Sequence, residues 1–429
     1  LCDKILEFEE IPRGIATDTQ FGEYDEVGAC LLRLPDGIYD LTGVGFEVPD
    51  VIILLDERDL HTPNLQKTRL PDIISGALTL FRSMKNPCRS LSLVLVAVGF
   101  IFSLLLAACG HGDNAPDVSG VDVKPVQIVR YDTAWFSLDS NNITPGLRRL
   151  SREYPYFTGD FVGNILGAGP LSDTSQVAFA ASRQFLVSYL PVKDSLEKKY
   201  ARLEWLKEQL TECFRYIKYY FPRYNLPPKV VVFIGPFDGP GVAITQFTLA
   251  IGLQSYAGKN SSFYAGQDHY PSYITRRFEP EYIVPNSITA LSEDIFPDSS
   301  DGRALVEQMI IKGKYLWLAG KLQPGIPDSI RTGYTQAQLK WCGANEAGIW
   351  NFFLQNTDLY TKDPDLIKNY IGDGPKTLGM PDTSPGNIGA WVGWQIVNKY
   401  VQLHPDITPV ALMRTPALKI YEEARYKPK

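Results

Sequence analysis

The chain has 429 residues, 45% of them hydrophobic and 21% charged, which is a core-forming composition and not a disordered one. A net charge of −6 argues against a general nucleic-acid binder, and no nucleic-acid partner is expected. With only four histidines and six cysteines, little metal chemistry is available before any motif is read.

The acidity is concentrated at the start. Residues 1–83 hold 16 acids and 7 bases, whereas residues 84–429 hold 32 acids and 35 bases. Such asymmetry suggests two origins or two compartments. Within 1–83, residues 27–33 and 51–56 read as strands, with turns at Gly37 and Gly43. No function attaches to this segment.

Residues 84–108 have the layout of a secretory signal. Lys85 and Arg89 make a short basic region, and an apolar run from Leu91 to Ala108 follows, ending in Leu106-Ala107-Ala108-Cys109. The small residues before a cysteine resemble the bacterial lipobox. That resemblance implies a diacylglycerol on Cys109, which becomes the first residue of the mature chain, with membrane lipid as its partner. A plain membrane-spanning helix with a cytoplasmic N-terminus is the other reading. Met84 is then expected as the true start, with 1–83 an upstream extension or, alternatively, a small domain of its own. Residues 109–124 read as a tether, rich in Gly, Asp, Asn and Pro where it begins, and 125–429 as the exported domain.

Residues 126–131 read as the opening strand of that domain. Pro191 separates two helical stretches. The second is expected as one amphipathic helix over 194–221, with Leu196, Tyr200, Leu203, Leu206, Leu210, Cys213, Ile217 and Tyr220 at helical spacing and Pro222 as its stop. Residues 229–234 are β-branched and apolar, a short buried strand. Residues 242–253 read as a second extended stretch, with 235–241 a turn-rich connector. A helix is expected over 303–321. Thr335 with Gln338 forms a capping-box pattern for a helix running to about Gln355. The last strong helix spans about 388–403, after Ser384-Pro385-Gly386. Two or three strands among many helices give a helix-dominated α+β domain with a small sheet.

The chemistry-bearing patterns are sparse. His61, His111, His269 and His404 are never four apart, so a His-Glu-x-x-His zinc helix is absent. Asp268-His269 is the one histidine in a motif-like setting. No serine elbow and no phosphate loop occurs. Cys213 and Cys342 read as buried free thiols, although export would permit a disulfide. Glu279 and Glu281 flank Pro280 as a glycosidase pair could, or as a solvated turn. Tyr264, Tyr270, Tyr273, Trp391 and Trp394 could line a groove, but the helical spacing of the tryptophans favours core packing.

The second half carries a longer pattern. It includes Ile251-Gly252-Leu253-Gln254, Tyr270-Pro271, Arg276-Arg277-Phe278, Lys312-Gly313-Lys314, Gly333-Tyr334-Thr335, Gln338, and Asn387-Ile388-Gly389 with Trp391-Val392-Gly393-Trp394. In order and spacing it resembles the GldB-type gliding-motility lipoproteins of the Bacteroidetes over roughly 125–405. That resemblance implies an outer-membrane lipoprotein facing the periplasm. Its role would be non-enzymatic, acting through protein partners of a motility or secretion complex, and without a cofactor. The family in turn is distantly similar to gluzincin-type zinc peptidases. The comparison implies a degenerate zincin-like domain: residues 278–291 contain no His, and Lys312-Gly313 stands where a Glu-Gly pair would supply a ligand. Asp268, His269, Glu281, Gln308 and Lys312 are the candidate cleft residues on that comparison. A periplasmic metallopeptidase-like hydrolase and a peptidoglycan- or glycan-binding module are the alternatives.

Overall fold

The computed structural model describes residues 115–171, 176–245, 247–265 and 270–429. The expected signal segment, Cys109 and the segment 1–83 lie outside the described residues.

A four-stranded sheet runs through the domain in the order β1-β2-β4-β3. The strands are β1 (Ile128–Arg130), β2 (Lys229–Phe233), β3 (Val242–Ile244) and β4 (Thr248–Gly252). β1, β2 and β4 are parallel, while β3 closes the edge antiparallel to β4. The expected extended stretch over 242–253 is thus a tight hairpin. The Thr245 N–H donates to the Thr248 carbonyl at 2.9 Å at its end.

Strand alternation builds a core on each face. Val230, Val232, Leu249 and Ile251 point into the larger core, and Val231, Phe233, Ala243 and Ala250 into the smaller one. The register pairs like with like, Val230 with Leu249 and Val231 with Ala250. The smaller core is aromatic. Phe233 meets Phe157 and Phe161, which join Tyr131, Trp135 and Phe185 from helices α1 (Tyr131–Phe136) and α3 (Gln176–Ser188), with α2 (Ile143–Glu153) alongside.

The long helix expected over 194–221 is two helices, α4 (Leu190–Lys199) and α5 (Glu204–Tyr220). Tertiary bonds claim Tyr200 at the break. Its carbonyl accepts from the Arg130 guanidinium at 2.9 Å, and its hydroxyl donates to the Tyr256 carbonyl at 2.6 Å. The apolar spacing continues through the break because both helices bury the same side. The helix expected to reach Gln355 likewise divides into α8 (Gln336–Ala344) and α9 (Glu346–Asn356). Asn345 ends the first by donating its side-chain N–H to the Trp341 carbonyl at 2.8 Å. The Thr335–Gln338 capping box is present.

Helices α6 (Ile283–Ile295), α7 (Leu305–Leu322) and α11 (Ile388–Leu403) form the heart of the larger core, with α10 (Pro364–Ile371), α12 (Pro409–Arg414) and α13 (Ala417–Ala424) around them. Trp391 and Trp394 are buried, as their spacing suggests. α7 and α11 touch backbone to backbone. A Cβ added at Gly393 would overlap the Met309 carbonyl, and one added at Gly313 would overlap the backbone of Gly393 and Trp394.

Neither overlap involves a movable side-chain tip, so the helices must separate to admit a methyl group. Gly313→Ala and Gly393→Ala are each expected to cost about 1–3 kcal/mol or more, as overpacking does. Gly343→Ala, with open space at its Cβ, should be neutral or stabilise by up to about 1 kcal/mol. Thermal unfolding of the three variants checks this contrast. Equal melting temperatures would show that the two helices do not approach this closely.

Candidate functional site

The cleft residues expected from the sequence fall in different places. Asp268 and His269 lie outside the described residues. The aromatic residues before and after them in the chain cluster: the Tyr264 and Tyr270 ring centroids are 5.4 Å apart and both rings meet Phe278 edge-on. Tyr264 donates to the Gln254 carbonyl at 2.5 Å, and Tyr270 donates to the Phe237 carbonyl. Glu281 is exposed on a short turn before α6. Its neighbour Glu279 is a structural clamp, accepting from the Lys259 N–H at 3.0 Å and lying 3.7 Å from Lys199.

Gln308 and Lys312 share one face of α7, one helical turn apart. Gln308 donates to the Arg303 carbonyl at 2.8 Å, and Lys312 pairs with Asp298 at 2.8 Å. Partial burial alone would raise the Asp298 carboxyl. The hydrogen bond and charge of Lys312, helped by Ser300, hold it below the usual carboxylate value. Gly313 is required by the α11 crossing. The Lys-Gly pair therefore has a packing role and an ion-pair role of its own. Among the described residues, no three His, Cys, Asp or Glu side chains come together as a metal site. His404 closes the end of α11, stacked on Tyr400 at 4.2 Å. Cys213 and Cys342 are both buried free thiols.

Other residues of the long sequence pattern converge. Gln254, fully buried after β4, accepts from the Gly235 N–H at 2.8 Å and donates to the Pro240 carbonyl at 3.1 Å. This one amide clips the 235–241 connector to the sheet end. Arg276 donates to the Gln338 side chain at 3.0 Å, and that same oxygen accepts from the Thr335 N–H. Arg277 packs against Gly333, which has a positive φ of 70°, and pairs with Asp373 at 2.6 Å. Buried Tyr334 donates to the Asn387 carbonyl at 2.9 Å, at the start of α11. Arg331 lies over the Trp394 ring, 4.3 Å from its centroid, and against Gly320 of α7.

The result is an arginine pair on a polar frame. Arg277 has its carboxylate in Asp373. Arg276 is half-buried and makes no ion pair among the described residues; an amide oxygen is its acceptor. Burial first, and then the adjacent Arg277, lower its pKa from the ordinary value. A guanidinium held this way offers a planar, charge-bearing donor, with the Asp373 charge as a weaker counterweight. Sequence reasoning singled out the lysine and missed this pair. The available signal was the Arg276-Arg277 dipeptide within the same pattern as Gln338 and Asn387.

The architecture defines a helix-dominated α+β domain on a small mixed sheet, with motif residues gathered around the α7–α11 pair. Residues 111–428 match the model of a family described as gliding motility protein GldB. The chain belongs to that family, as its sequence pattern implied. No match was found among curated proteins, and none among solved structures.

Next to Gly313, Lys314 is buried and donates to the Met413 and Thr415 carbonyls at 3.0 and 2.7 Å, closing the end of α12. Burial lowers its pKa from 10.5 to about 8. Between those values the unfolded chain binds the proton that the folded chain has released, so this group makes stability rise with pH. Tyrosines buried in the fold oppose this trend as the pH approaches about 10, because they ionise only on unfolding. In denaturant unfolding, the stability of the wild type relative to Lys314→Met should therefore rise from about pH 8 to 10. An identical slope in both proteins would show that Lys314 keeps an ordinary pKa.

Proposed function

We propose that this GldB-family protein is an outer-membrane lipoprotein, anchored through Cys109 and facing the periplasm, which serves gliding motility and its associated secretion machinery by binding partners and not by catalysis. Family membership over 111–428 is the observation that carries the reading. The matched region begins two residues after Cys109, as expected if the lipobox marks the mature start. Among the described residues, no helix is long and apolar enough to cross a membrane.

Binding is favoured by the form of the arginine pair. Arg276 is pre-positioned by Gln338 and makes no ion pair among the described residues, which suits a partner bearing an acidic group. An exposed ion pair contributes little, but a half-buried guanidinium contributes more once an anion covers it. Of the carboxylate pair considered for catalysis, Glu279 has another duty, clamping a loop through the Lys259 N–H.

Two variants in the native host test the reading. Cys109→Ala should lose incorporation of labelled palmitate and leave the membrane fraction. Equal labelling would overturn the anchor. Arg276→Glu should accumulate at the wild-type level and stay in the membrane, yet fail to restore gliding to a strain lacking the protein. Full motility in that variant would remove the arginine pair from the function.

A further inference from the structure

The point where the chain joins the domain determines which face can lie near a membrane. The described chain begins at Ala115, and Val118 is already buried in the larger core. Asp117 lies near Tyr216, in the last turns of α5. That phenol is pushed up by burial, by Glu212 and by Asp117. Further along, the Val126 N–H donates to the Thr211 side chain, in the middle of α5, at 3.0 Å. Residues 117–126 therefore run back along α5, and the tether reaches the domain at the C-terminal end of that helix.

Cys109 and Ala115 are six residues apart. Fully extended, that length spans at most about 22 Å. A domain of this size is roughly 50 Å across. A lipid on Cys109 thus holds the end of α5 close to the bilayer and keeps the far side away from it.

The surface at that end suits such a position. Residues 213–229 contain Arg215, Lys218, Arg223 and Lys229, and no Asp or Glu. Tyr219 is 49% exposed, with its ring edge-on to Tyr220 at 5.0 Å. Pro222, Arg223, Pro228 and Lys229 are at the surface. Lys218 and Tyr224 serve the fold. Lys218 caps α5 by donating to the Pro222 and Tyr224 carbonyls, and Tyr224 donates to Asp294 at 2.7 Å. What faces outward is an amphipathic ring, with the exposed Arg223 in the turn that follows it. Tyrosine rings favour the headgroup layer, and Arg and Lys favour the lipid phosphates.

We propose that the C-terminal end of α5 and the turn after it, presenting Tyr219 and Arg223, form a docking face that rests in the headgroup layer of the bilayer. The inference rests on the lipid anchor at Cys109 and adds an orientation to it. The opposite side, away from the lipid, is then the one left for partners.

The test uses the processed, lipid-bearing protein reconstituted in vesicles of phosphatidylethanolamine with phosphatidylglycerol as the minor lipid. The variants Tyr219→Cys and Leu354→Cys each carry a nitroxide label on the introduced cysteine. Both sites are exposed to a similar degree, at 49% and 52%. The native thiols of Cys213 and Cys342 are buried, with pKa values raised to about 12, and do not compete for the label. Label mobility and depth are read by accessibility to oxygen against a water-soluble nickel complex. The expected result is a severalfold higher oxygen-to-nickel ratio at 219 than at 354. Substituting Arg223→Glu in the Tyr219→Cys background should lower the ratio at 219. If the protein floats with the vesicles and both labels are equally open to nickel, the docking face is wrong and the anchor stands. If the protein does not float with the vesicles, the anchor itself fails, and the orientation fails with it.

Discussion

Helices α7 and α11 meet through their backbones, because Gly313 and Gly393 have no side chains to keep them apart. Much of the domain depends on that crossing. Gly389, one turn before Gly393, brings α11 against Met309 and the Tyr370 carbonyl of α10. Lys314, next to Gly313, reaches out of the same helix to hold α12. On the other side, the Arg331 guanidinium lies against Gly320 of α7 and over Trp394 of α11, so the short segment carrying Arg331 and Tyr334 is gripped by both helices. Tyr334 then fixes the start of α11, while Gly333 beside it supports Arg277. The arginine pair is in this sense an outcome of how closely two helices approach.

Local chemistry was the part of the fold that the sequence made legible. The Thr335–Gln338 capping box, the strand at Lys229–Phe233 and the helix at Ile388–Leu403 each follow from a pattern a few residues long. Long-range bonds were illegible. Tyr200 sits in good helical spacing, yet the break there is made by Arg130 and Tyr256, far away in the chain. Asn345 ends a helix with its own side chain, in a stretch where apolar periodicity alone continued. Lys312-Gly313 was notable as a departure from a ligand pair. Its physical reasons, Asp298 for the lysine and Gly393 for the glycine, lie on elements that no local pattern connects. Arg276 was visible as a residue type, but its bond to the Gln338 amide oxygen is a property of the assembled site.

On the proposed reading, two surfaces of the domain have different tasks. The end of α5, where the tether arrives, is rich in bases and aromatic residues and suits a lipid surface. The arginine pair sits on a frame built by α8, α11 and the segment around Tyr334, and suits an acidic group on a protein. The proposed role asks an anchored domain to hold a partner. A core organised around one inflexible helix crossing suits that demand better than a lid or a mobile loop would.

The central claim is that the crossing of α7 and α11 is the most stable unit of the domain and holds the arginine frame in place. Native-state hydrogen exchange followed by mass spectrometry measures it directly. Amides of Leu305–Leu322 and Ile388–Leu403 should exchange last and at matching free energies, and in Gly393→Ala both should lose protection together, along with the segment around Tyr334. Early exchange of either helix, or loss of protection in one without the other, would contradict the account.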